Sequence, residues 1–123
     1  MSNKDKTSFI KPLPEKLIKK YRGWKSSGFQ KNKDLFNKLS VEGQNPLAMI
    51  ISCVDSRVHS TQIFDVEPGD FFIHRNIANL VPPYDLESDN TGTAAALEFA
   101  VCVLKVSHII ILGHSGCGGI KNG

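Results

Sequence analysis

The sequence predicts an α/β fold built on a parallel β-sheet flanked by helices. Three observations predict it: short, continuously apolar runs of strand length, amphipathic stretches of helix length between them, and turn-forming residues at the junctions. A strand that is apolar throughout, rather than alternating, is covered on both faces, which is the condition of a strand in a parallel sheet. Alternation of such strands with helices marks the parallel α/β class.

In chain order, Pro12 and Pro14 precede a stretch with Leu17, Ile18, Tyr21 and Trp24 at helical spacing. Residues 15–26 therefore read as an amphipathic helix, closed by Gly28. A second helix over about 31–41 carries Leu35, Phe36 and Leu39 on one side and stops at Gly43. The period then changes. Residues 47–52 form the first buried strand, bounded by Pro46 and a polar cluster. Beyond the polar segment 54–60, a short helical piece near 61–64 leads through the turn Glu67-Pro68-Gly69-Asp70 into a second strand over 71–74. A turn-rich stretch with Pro82, Pro83 and Asp85 follows, and Thr91 is placed to cap a helix over 92–105. The alanine-rich interior of that helix, with Leu97, Val101 and Leu104, suits close packing on a sheet. Residues 107–113 are the third buried strand, with Ile109, Ile110, Ile111 and Leu112 in succession, and 114–123 reads as the first turn of a further helix.

A length of 123 residues, 41% hydrophobic and 22% charged, suits one globular domain with a small core. Within residues 1–123 we expect an N-terminal helical arm, 1–43, and an α/β core, 44–123. Three parallel strands leave two open edges, so the domain reads as truncated at its C-terminus, with further chain or a partner expected to cover them. The isolated chain is accordingly expected to self-associate, aggregate or be partly unfolded. The apolar runs are far shorter than the roughly 20 residues of a membrane-spanning helix. The start of the chain mixes Lys4, Lys6 and Lys11 with Asp5 and lacks the apolar segment of a secretory signal, so a cytoplasmic location is expected. The formal charge of +3 comes mostly from basic residues between Lys16 and Lys38, spaced as a solvated helical face. A nucleic-acid surface needs focused charge with aromatic platforms, and only Tyr21 and Trp24 could serve, so neither nucleic acid nor membrane is expected as a partner.

The chemistry concentrates near the strand ends. Three cysteines, Cys53, Cys102 and Cys117, cannot pair completely and are expected to be reduced. In an open parallel sheet, ligands sit beyond the carboxyl ends of the strands. Cys53 falls just after the first strand, and His114 and Cys117 fall just after the third, so distant segments arrive at one edge. Two thiolates and one imidazole suit Zn²⁺ and leave a fourth tetrahedral position open, the mark of catalytic rather than structural zinc. Asp55 and Arg57 place a carboxylate and a guanidinium beside that edge, where they are expected to pair. The residues alone also allow a plainer reading, with Cys53 a small buried residue at a strand end and Cys117 a chance neighbour of His114. Cys102, between Val101 and Val103 inside a helix, reads as core packing. His59, His74 and His108 are not assigned to a metal; His108 opens a buried strand and reads as structural.

Three segments then invite comparison with a family. They are Cys53-Val54-Asp55-Ser56-Arg57-Val58, Arg75-Asn76-Ile77-Ala78-Asn79-Leu80-Val81-Pro82-Pro83 and Gly113-His114-Ser115-Gly116-Cys117-Gly118-Gly119. In that order they resemble the signature segments of the β-class carbonic anhydrases, and the resemblance runs from about Pro12 to Gly123. It implies a β-carbonic anhydrase-like fold, zinc held by Cys53, His114 and Cys117, and an Asp55–Arg57 dyad. It also implies homodimers or higher even oligomers, with Gln44 at the substrate pocket across the dimer interface. These enzymes normally continue well past the last segment, with more helix and at least one further strand.

The reaction implied is the reversible hydration of carbon dioxide to bicarbonate, in which zinc lowers the pKa of a bound water. Two thiolates neutralise the ion's formal charge and make it a weaker Lewis acid. Asp55 would accept a hydrogen bond from the water while Arg57 fixes the carboxylate; in some members of the family that aspartate moves onto zinc at low pH. Ser115, Gly116 and the start of the last helix would line the pocket with N–H groups that favour an anion. Two other readings keep the same residues: an inactive zinc-binding interaction module whose fourth position Asp55 closes, and a hydrolase of a related small molecule such as carbon disulfide or carbonyl sulfide. A redox thiol protein is disfavoured, since no Cys-x-x-Cys occurs.

Overall fold

Pro14 starts the first helix by holding an extended backbone (φ −53, ψ 137) while its carbonyl accepts the N–H groups of Leu17 and Ile18. A computed structural model describes residues 11–84 and 92–123 of the chain; the expected Thr91 cap and the Asp85 turn position lie outside them. The chain divides into two units, 1–38 and 39–123.

In the first unit, helix α1 (Glu15–Gly23) does not close at Gly28 as expected. It widens into a π-helical turn, Trp24–Gly28, and resumes as α2 (Phe29–Lys31). The reason is packing. A Cβ on Gly28 would lie 2.9 Å from Cδ1 of Trp24, so the missing side chain makes room for the indole along the helix instead of ending it. Trp24 meets Phe29 and Phe36 at centroid distances of 5.5 and 6.3 Å, and those two phenylalanines stack at 5.6 Å. The break falls at Asn32 (φ −105, ψ 10). Helix α3 (Lys33–Glu42), within which the boundary between the units lies, then runs to Gly43, where φ is +81.

The second unit is a three-stranded parallel sheet flanked by helices, in the order β2-β1-β3. Strand β1 (Ala48–Cys53) is central and buried along its whole length. It pairs with β2 (Phe71–Asn76) from Ala48–Phe71 to Cys53–Asn76, and with β3 (Ile109–Leu112) from Met49–Ile109 to Ser52–Leu112. Strand β1 thus starts and ends one residue later than predicted, and β2 runs two residues further, because the ladder continues until Cys53 faces Asn76. The short helix α4 (Ser60–Ile63) lies between β1 and β2, as expected.

Between β2 and β3, helix α5 (Gly92–Glu98) passes into a π-helical turn, Phe99–Val103, and ends before Lys105, whose φ is +54. Met49, Ile51 and Ala100 form the core, with Phe72, Ala96, Leu97 and Val106 packed against it. Cys102 is exposed, not packed in the core as expected. In the π-helical turn that carries it, Ala100 is the residue that is buried. Strand β3 also departs from expectation. Ile109 and Ile111 are in register with buried Met49 and Ile51, yet stay exposed, while Ile110 and Leu112, on the opposite face, are half-buried. The last element is α6 (Gly118–Asn122). Among the described residues, no helix is long and apolar enough to cross a membrane.

Candidate metal centre

Parallel pairing sends the carboxyl ends of β1 and β3 to one edge of the sheet, and there the chain brings Cys53, His114 and Cys117 together. Cys53 is the last residue of β1, His114 lies two residues beyond β3, and Cys117 precedes α6. Their ligand atoms all lie within 4.8 Å of one another. Both cysteines are buried, and with Ala78 they form a small cluster against which Val58 packs.

The donor set fits a tetrahedral metal ion. The two sulfurs are 3.9 Å apart, close to the edge of roughly 3.8 Å expected for a tetrahedron with Zn–S bonds of about 2.3 Å. His114 Nδ1 donates to the Ser115 carbonyl at 2.9 Å, which leaves Nε2 with its lone pair free. That Nε2 is buried and has no hydrogen-bond partner, a condition costly in a folded protein unless something binds there. The neighbouring His114 imidazole, together with the Asp55 and Ala78 backbone N–H groups, lowers the Cys53 thiol to about 7. The same sulfur raises the pKa of His114, aided by the Ser115 carbonyl. A metal ion bound by these donors would take the place of their protons, so its binding would release them.

The charged pair is beside the three ligands. Arg57 donates from Nε to Asp55 Oδ1 at 2.9 Å and from Nη2 to Oδ2 at 2.7 Å, while its backbone N–H adds a third bond to Oδ1 at 2.8 Å. This fork holds the Asp55 carboxyl far below the usual carboxylate range and raises Arg57 in return. Asp55 Oδ2 lies 3.9 Å from His114 Nε2, so the carboxylate borders the metal position. Arg57 Nη2 also reaches the Gly116 carbonyl at 3.1 Å and ties the loop after β1 to the loop after β3.

Of the remaining expected site residues, Ser115 and Gly116 meet the site through their carbonyls, which accept from His114 Nδ1 and Arg57 Nη2 respectively, not through the N–H groups expected from the sequence. Gln44 is exposed. His59 bonds Thr61 and His74 bonds Thr93, both away from the three ligands, and His108 bonds Ser107.

Sequence reasoning assigned no role to Arg75, although it organises the site. Its guanidinium donates to the carbonyls of Cys53 and Asp55, each at 2.9 Å, and to that of Val58, and so gathers the loop that carries a ligand and the dyad. The available signal was an arginine inside a part-buried strand, between His74 and Asn76, where a guanidinium must find acceptors.

Comparison with known proteins places this geometry. A family model described as "Carbonic anhydrase" matches residues 48–123. The chain is similar to Beta carbonic anhydrase 3 of Arabidopsis thaliana, 41% identical over 107 residues, which cover 87% of this chain and 41% of the relative. The solved structure of the β-carbonic anhydrase CcaA is similar with a TM-score of 0.80 and 40% identity, over 87% of this chain and 47% of that one. One of two tetrameric β-carbonic anhydrases from Sordaria macrospora is similar with a TM-score of 0.73 and 41% identity, over 87% of this chain and 51% of that one. The chain therefore spans about half the length of the relatives it matches.

Proposed function

The chain belongs to the carbonic anhydrase family, in its β class, and from that membership we propose that it carries the zinc site of an enzyme for the reversible hydration of carbon dioxide to bicarbonate. One observation supports this reading above the others: Cys53, His114 and Cys117 converge at the sheet edge with the Asp55 carboxylate held beside them by Arg57. Zinc held by these three residues would supply Lewis acidity, the chemistry that eases loss of a proton from water.

The chain's own residues do the rest. Asp55, kept ionised by Arg57, accepts a hydrogen bond from the attacking water and orients it. With both carboxylate oxygens occupied by Arg57, Asp55 is restrained from becoming a metal ligand. This weighs against the inactive module, and the carbonic anhydrase names of relatives near 40% identity weigh against a hydrolase of carbon disulfide or carbonyl sulfide. Ser115 and Gly116 line the substrate position, and Gln44 completes the pocket of a second copy. A homo-oligomer is in keeping with the tetrameric relatives. Three unpaired cysteines suit a cytoplasmic location.

Metal content and carbon dioxide hydration, measured on one sample of the purified protein, test the proposal. We expect about one zinc per chain together with hydration activity well above that of a metal-stripped control. A fully loaded protein with no activity would favour the interaction module instead.

A further inference from the structure

The turn that follows β2 is held in a shape its residues do not adopt readily. Ala78 (φ 66) and Asn79 (φ 48) both lie in the left-handed region. Asparagine tolerates that region, but alanine adopts it only against the steric resistance of its Cβ. Ala78 is nevertheless buried, and its N–H donates to Cys53 Sγ at 3.3 Å.

Asn76 accounts for the shape. Its Oδ1 accepts the Leu80 N–H at 2.9 Å while its Nδ2 donates to the Leu80 carbonyl at 2.7 Å, so one side chain brackets the turn at its far end. Nδ2 also donates to Thr93 Oγ1 at 3.1 Å, and that oxygen lies 2.8 Å from His74 Nε2, which anchors the clamp to α5 and β2. Asn76 is, in addition, the register partner of Cys53, and its carbonyl accepts the Val54 N–H at 2.9 Å. A single residue thus sits opposite the ligand in the ladder and controls the backbone that donates to the ligand's sulfur.

We propose that Asn76 is a positioning residue of the metal centre, whose side chain holds the 77–80 turn in the left-handed form that aims the Ala78 N–H at Cys53 Sγ. The inference rests on the reading of Cys53 as a metal ligand. A hydrogen bond of this kind takes up charge on a metal-bound thiolate and fixes its orientation, and loss of such an outer partner typically weakens metal binding by about 10- to 100-fold.

Two measurements on the full chain test it. In protein labelled with nitrogen-15 and loaded with cadmium-113, the amide proton of Ala78 shows a scalar coupling to the metal through Cys53 Sγ. Asn76→Ala loses that coupling, lowers Co²⁺ affinity by about tenfold or more in competition with a chromophoric chelator, and shifts the thiolate-to-cobalt charge-transfer band. Adding Ala78→Gly restores much of the affinity, because glycine takes up a φ of 66 without steric resistance. A cadmium-loaded protein without the Ala78 coupling overturns the proposal. So does an Asn76→Ala variant with wild-type cobalt affinity, or a loss that Ala78→Gly leaves unrepaired, which is what a merely structural role for Asn76 produces. A protein that takes up neither metal overturns the metal-centre reading, and this inference with it.

Discussion

Arg57 joins two loops with one guanidinium, holding Asp55 in a fork and reaching across to the Gly116 carbonyl. Its side chain is well exposed, and an exposed ion pair contributes little to stability, so its value lies in the placement of Asp55. The folded pKa of Asp55 is depressed below the unfolded value of about 3.9. The pair is therefore complete above that value and is lost only as pH falls toward the folded pKa, so Asp55 is an acceptor throughout the neutral range. Arg57→Ala is expected to keep its zinc while hydration activity falls by about 100-fold or more, the scale of a lost acid–base or orienting group. Arg57→Lys should not restore it, since an ammonium cannot reproduce the fork. Metal analysis and hydration rates on the two variants check this; wild-type turnover in Arg57→Ala would show the pair to be dispensable.

At the scale of elements, α6 packs its first turn directly on the turn after β2. A Cβ on Gly119 would lie 2.5 Å from Cγ2 of Ile77 and 2.9 Å from Cβ of Ala78. Gly119→Ala must therefore displace that turn, and overpacking of this kind costs about 1–3 kcal/mol. A lower urea midpoint at unchanged slope is the expected outcome, and a midpoint equal to wild type would contradict the close packing. This contact also marks a limit of what the sequence discloses. The three strands were legible because continuous apolar runs leave few alternatives, and the strand ends then brought Cys53, His114 and Cys117 to one edge. The bounds of β1 and β2 were less legible, since hydrogen bonding carries the ladder past the apolar run to Cys53 and Asn76. The left-handed Ala78 was not legible at all. No propensity points an alanine there, and the Asn76 side chain that clamps the turn bonds to backbone atoms of Leu80, which carry no residue-specific signal. Cys102 was misplaced for a different reason: apolar neighbours on a helix do not disclose which of them faces the sheet.

At the scale of the molecule, the sheet has β2 and β3 at its edges, and β3 leaves Ile109 and Ile111 exposed, as the helical segment before it leaves Val101 and Val103. Apolar surface of this kind at a sheet edge calls for cover, in keeping with the tetrameric assembly of relatives about twice the length of this chain. The centre itself depends on none of that cover for its three ligands, which all come from one chain. The central claim is that Cys53, His114 and Cys117 hold the metal and that the remaining cysteine does not. Metal analysis of four purified variants tests it most directly. Cys53→Ser, His114→Ala and Cys117→Ser should each lose stoichiometric zinc, whereas Cys102→Ala, altered at an exposed position away from the cluster, should retain it. Full zinc occupancy in Cys117→Ser, or loss of zinc from Cys102→Ala in a folded protein, would contradict the account.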